Sequence, residues 1–137
     1  MSNFNYSLDD VCTKMLGNAD MTIDLSCFPR VQLYFTVSGK VDARYWRVRF
    51  TLRTVLYFQA YSEEANQPGD LFLVLGVNVE QKPVQPDEME LRAQLASDDE
   101  LVWRLTLHGD ITLQIVSREL EWQVSELSPQ EYEARYN

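Results

Sequence analysis

The chain has 137 residues, of which 45 % are hydrophobic, 24 % charged and 12 % aromatic; this fits one globular domain with its own core and excludes collagen-like, low-complexity and wholly disordered chains. Twelve Lys and Arg against 21 Asp and Glu leave a net charge of −9 and a pI near 4.5, which repels nucleic-acid phosphates and anionic membranes at long range. The charge is uneven, because residues 28–61 carry six basic residues against one acidic and residues 62–100 carry two against ten, so the two stretches are expected to pair with each other.

The chain opens without a basic region followed by an apolar run, and Asp9 and Asp10 stand where a signal peptide is apolar. Uncharged stretches such as residues 71–79 fall far short of the ~20 apolar residues that span a bilayer. A cytoplasmic protein is therefore expected, with Asn5-Tyr6-Ser7 an unused glycosylation sequon and with Cys12 and Cys27 reduced and packed as small apolar residues.

In chain order, Ser7 precedes Asp10 by three residues, and Leu8, Val11, Cys12, Met15 and Leu16 follow the spacing of one helix face. Gly17-Asn18 ends that helix. Residues 22–27 are expected as a short strand limited by Pro29, and Val31, Leu33, Phe35 and Val37 alternate in a second, which Ser38-Gly39-Lys40 turns. From Tyr45 one long strand points Trp46, Val48, Phe50, Leu52, Leu56 and Phe58 inward, with a bend near Thr54. A loop at residues 66–70 leads to Leu71, Leu73, Leu75, Val77 and Val79, a central strand apolar on both faces at its start and covered by the N-terminal helix.

Pro83 and Pro86 mark a connector, after which Met89, Leu91, Ala93 and Leu95 alternate as a shorter strand. Leu101, Trp103, Leu105 and Leu107 return through a turn at His108-Gly109-Asp110 to Ile111, Leu113 and Ile115. The apolar parity then shifts to Val116, Leu120, Trp122 and Val124, which calls for a β-bulge near Val116 or Ser117. Ser128-Pro129-Gln130-Glu131 is a capping box opening a short helix with Tyr132 and Tyr136 on one side. The expected fold is α+β, mainly β: a curved antiparallel meander of six or seven strands in one domain, with an N-terminal helix packed on it and a short C-terminal helix, a closed β-barrel being the alternative.

Catalytic parts are missing from this pattern. His108 is the one histidine and is assigned to a turn, two scattered cysteines and one histidine are too few for a zinc site, and neither GxGxxG nor GxxxxGK[ST] occurs. Glu119 and Glu121 share a strand face about 6.5–7 Å apart, but that spacing alone does not make a hydrolase site. Neither enzyme activity nor a cofactor or metal is expected.

Two surfaces stand out. The acidic residues Asp87, Glu88, Glu90, Asp98, Asp99 and Glu100 form a candidate partner surface, suited to fast, salt-sensitive capture of a basic protein. Arg47, Arg49 and Arg53 form a stripe that is expected to pair with Glu119 and Glu121 as an ion-pair ladder, or else to form an anion site. The functional expectation is a non-enzymatic acidic protein-interaction domain, such as a small inhibitor or immunity-type protein with a basic partner. Nucleic acid and membrane are not expected partners, and self-association stays open. The alternative is a small hydrophobic or anionic ligand held in a sheet cavity walled by Trp46, Phe50, Trp103 and Trp122.

Overall fold

The computed structural model describes residues 7–38, 44–62, 71–85, 87–95, 97 and 99–134. Asn5, Tyr6, the turn residues Gly39 and Lys40, the loop at 66–70, Pro86, Asp98 and Tyr136 lie outside the described residues. The strands are β1 (Asp20–Asp24), β2 (Val31–Ser38), β3 (Tyr45–Tyr61), β4 (Phe72–Pro83), β5 (Leu101–Gly109) and β6 (Thr112–Leu127); short helices are α1 (Leu8–Asp10), α2 (Met89–Arg92) and α3 (Pro129–Glu133). The fold is mainly β, with all strands antiparallel in one sheet and short helices near both ends of the chain.

Neighbouring strands run β1-β2-β3-β6-β5-β4 and back to β1, a ring of hydrogen bonds. It departs from a simple meander once, since β3 lies beside β6 and not beside β4. Strands this long carry enough right-handed twist to curl the sheet until its two ends meet. The seam is narrow: Asp20 faces Leu73 and Met21 faces Phe72, with the Asn18 N–H donating to the Val74 carbonyl (2.7 Å) and the Val74 N–H to the Ala19 carbonyl (2.8 Å).

The N-terminal helix forms where its spacing predicts. Ser7 Oγ accepts the Asp10 N–H (3.1 Å), α1 continues into a π-helical stretch over Val11–Met15, and Asn18 ends it in the left-handed region at φ 67°. Its apolar face packs against the sheet interior, where Val11 and Leu16 are fully buried. There they join Leu33, Phe35, Val48, Phe50, Leu107 and Leu113, each also at 0 % exposure. Phe35 and Phe50 meet edge to face at 5.3 Å; burying each such side chain contributes about 1.5–3 kcal/mol.

Strand β1 ends at Asp24, earlier than expected, because the Asp24 carboxylate accepts the Ser26 N–H (2.9 Å) and hydroxyl (2.6 Å) and bends the chain. Cys27 therefore lies in an exposed turn, not in the core, whereas Cys12 is buried. Strand β2 buries Val31, Leu33, Phe35 and Val37, as its alternation requires. On β3, Thr54 adopts φ 54°, and the register with β6 slips between Val55 and Tyr57, opposite Ser117 and Val116. The expected irregularity is at this place, but the extra residue belongs to β3: Leu56 is inserted, while β6 runs in unbroken register against β5.

A second slip, between Val74 and Gly76 of β4, overturns the inward parity expected for Leu73 and Leu75. They are 39 % and 65 % exposed, and Val74 is fully buried. The expected strand at Met89 is helix α2. Leu91 and Leu95, four apart, can share a face in either structure, and the run Met-Glu-Leu-Arg-Ala-Gln consists of strong helix formers. Leu91 packs with Val84, Val102 and Val116 in a small second core, joined by Leu56 and Leu95. His108 is the penultimate residue of β5, opposite Gly76, so it sits one step before the turn.

Candidate functional site

The connector between β4 and β5 carries the expected acidic surface, and the fold divides its carboxylates into two kinds. Glu88 is ion-paired with the Arg104 guanidinium of β5, the two side chains being only 26 % and 19 % exposed. The same oxygen, Glu88 Oε1, also accepts the Gln85 N–H at 2.9 Å, which ties the carboxylate to the connector's backbone. The hydrogen bond from Arg104 is the main reason the Glu88 carboxyl is held below its usual value, against the opposing effect of burial. Glu100 lies 3.6 Å from Arg118 Nε of β6, and Arg118 Nη2 also donates to the Gln94 carbonyl at 2.6 Å. Two arginines on the sheet thus strap the connector down over the second core.

The other carboxylates are presented outward. Asp87, Glu90 and Asp99 are exposed, and none of the three carries an ion pair among the described residues; Asp98 lies outside them. Beside them Met89 is 76 % exposed. An open groove of about 610 Å³ runs between α2 and the outer surface of the sheet, bounded by Asp87, Met89 and Glu90 on one side and Tyr57, Thr106 and Gln114 on the other. Thr106 and Gln114 face each other across β5 and β6, and Tyr57 lies opposite Val116.

The sequence reading missed Arg104 and Arg118. Their outward positions in β5 and β6 carry the signal, but charge counted along the chain pairs the acidic stretch with the basic residues of 28–61. Instead, Glu88 and Glu100 turn to residues beyond position 100, and the basic stretch does likewise: Arg44 lies 3.6 Å from Glu126 and Arg53 lies 3.3 Å from Glu121.

Along the arginine stripe, the three guanidinium groups have different surroundings. Arg53 stands opposite Glu119 in register but meets Glu121 diagonally. Arg49 Nη2 donates to the neutral Gln123 Oε1 at 2.5 Å, with Tyr34 on its other flank. Arg47 is flanked by Thr36 and Ser125 and adds its charge to the hydrogen bonds from Ser128 that lower the Glu131 carboxyl. Thr51, between Arg49 and Arg53 in sequence, is only 4 % exposed and accepts a 3.4 Å hydrogen bond from Gln32 Nε2. A shallow depression of about 230 Å³ lies among Arg49, Thr51, Glu121 and Gln123.

The four aromatic residues expected to wall a cavity differ in burial, although Phe50 and Trp122 are opposite each other in register. Phe50 and Trp46 are buried at 0 % and 6 %, Trp103 is half-buried, and Trp122 is 37 % exposed and outside the core cluster. Burial pushes the Cys12 thiol up to about 11, with Asp9 adding to the shift, which keeps it protonated and unreactive at neutral pH. Among the described residues no group of three or more His, Cys, Asp or Glu is placed to hold a metal ion, and no helix is long and apolar enough to cross a membrane. Comparison with family models, curated proteins and solved structures finds no match to this chain.

Proposed function

We propose that this protein is a non-enzymatic, acidic protein-interaction domain that captures a basic partner protein through the face formed by α2 and the connector around it. The observation that carries this reading is Met89, 76 % exposed between the exposed carboxylates of Asp87 and Glu90. Adaptable methionines recur at binding surfaces, and Met89 is the most exposed of the large hydrophobic residues described. The flanking carboxylates supply attraction and orientation toward a cation-bearing surface, and the overall charge of −9 extends that attraction to longer range. An inhibitor or immunity-type role, blocking a basic protein by covering its surface, fits this chemistry.

The test uses a photo-reactive residue at position 89, with a second at position 75 on the exposed bulge of β4 as control. A partner crosslinked at 89 and not at 75 is purified and its binding measured at low and high salt. Asp87→Lys, Glu90→Lys and Asp99→Lys together should weaken binding, and salt should weaken the wild type more than the triple variant. Binding that ignores both charge reversal and salt would reject the reading.

A further inference from the structure

Resting on that reading, we infer that the groove between α2 and the outer face of β5 and β6 seats an extended basic segment of the partner, anchored by one arginine or lysine whose head reaches Asp87 and Glu90. The charges around the groove fall into two sets. Glu88 is neutralised by Arg104 and Glu80 by Lys82, at 3.1 Å in the latter pair. Asp87 and Glu90 remain on the rim, exposed and without an ion pair among the described residues.

The shape of the groove matches one kind of side chain. Met89 on one side and Tyr57 on the other are 76 % and 41 % exposed, so an alkyl stem laid between them covers apolar surface while its charged end stays at the wet rim. The Tyr57 ring adds a face that attracts cations. On the sheet side, Thr106 and Gln114 are paired across β5 and β6 and bring neutral groups that can hydrogen-bond an extended backbone. A volume of about 610 Å³ lies within the roughly 300–1,000 Å³ of ordinary ligand pockets; it accommodates a few side chains of an extended segment, and a folded domain could enter it only by such a projection.

A random heptapeptide library displayed on phage is selected against the whole chain, in parallel with three variants matched to it by circular dichroism. Gln114→Trp and Thr106→Tyr fill the groove from two different strands without changing charge, so one remains informative if the other fails to fold. Asp87→Asn with Glu90→Gln removes the rim charge and leaves the groove open. Peptides selected on the wild type should be rich in arginine or lysine next to an apolar residue, and a resynthesised one should bind each filled variant and the neutralised one at least about tenfold more weakly.

Basic peptides that bind the filled variants as tightly as the wild type would overturn the seat in the groove and leave the acidic interaction face standing. Absence of basic enrichment with no spermidine bound at the rim either, or equal binding to the neutralised variant, would overturn both. Spermidine bound at the rim with no peptide selected would assign the groove to a small polycation and overturn the peptide proposal.

Discussion

Glu88, just before α2, and Arg104, in the middle of β5, are sixteen residues apart in sequence and form the least exposed ion pair among those described, at 26 % and 19 % side-chain exposure. The pair holds the connector against the sheet at the point where the groove begins. Removing one partner leaves the other charge half-desolvated, which costs more than the pair gains over two neutral groups. Glu88→Gln is therefore expected to lower stability by about 1–3 kcal/mol, whereas Glu90→Gln on the exposed rim should change it by less than about 0.5 kcal/mol. Glu88→Gln with Arg104→Met should recover part of the loss. Urea denaturation of the four proteins measures this, and equal effects at positions 88 and 90 would contradict the strap.

The same pair fixes a pH dependence. The folded-state value of Glu88 is depressed, chiefly by the Arg104 hydrogen bond, from an ordinary value of 4.5. A carboxyl depressed on folding contributes its stability above the unfolded value and loses it as pH falls through the folded one. The stability gap between wild type and Glu88→Gln should thus be full at neutral pH and close progressively below about pH 4.5. Melting profiles across acidic pH test it, and a gap that widens on acidification would show the sign to be wrong.

On the arginine stripe, coupling should follow the observed pairs and not sequence order. Arg53 and Glu121 are 3.3 Å apart at 42 % and 66 % side-chain exposure, so a double-mutant cycle should give a coupling of about 0.2–1 kcal/mol that shrinks in high salt. Arg49 should couple to Gln123, its hydrogen-bond partner, with less sensitivity to salt because Gln123 is uncharged. Strong coupling of Arg49 to Glu121 would require a different packing of this face.

Gly109, opposite Val74 in the β4–β5 pair, leaves no room for a side chain. A Cβ there would stand 2.1 Å from the Leu73 carbonyl oxygen, which already accepts the Asp110 N–H at 2.9 Å. The obstacle is backbone and cannot rotate away, so Gly109→Ala should cost about 2–3 kcal/mol or more. By contrast Gly76→Ala, with no atom within 4 Å of the added carbon, should be tolerated far better. Thermal denaturation of the two variants separates them.

What the sequence disclosed is the part of the fold that repeats along the chain. The alternation of β2, the helix face from Leu8 to Leu16 and the capping box at Ser128, with Ser128 Oγ accepting the Glu131 N–H at 3.1 Å, are local patterns, legible because period and cap chemistry act within a few residues. The two register slips are different in kind. Leu56 and Leu75 become extra residues only in relation to the partners they slip against, Val116 and Ser117 about 60 positions from Leu56, and His108 and Gly109 more than 30 from Leu75, so the alternation at Leu73 and Leu75 does not give their inward parity. Helix α2 is not legible as a helix in the sequence because Leu91 and Leu95 satisfy both periods. The candidate site was legible in its acidic residues but not in its division into strapped and outward-facing carboxylates. That division depends on where β5 and β6 place Arg104 and Arg118, which charge counting along the chain does not encode.

Hydrogen exchange of the whole chain with and without its crosslinked partner is the most direct measurement, because it compares every candidate surface at once. Protection should appear in the backbone of α2, around Thr106 of β5 and around Gln114 of β6, while β2 and the stretch of β3 holding Arg47 and Arg49 remain unchanged. Protection confined to the arginine face, with α2 exchanging as in the unbound protein, would contradict the assignment of the acidic groove as the binding surface.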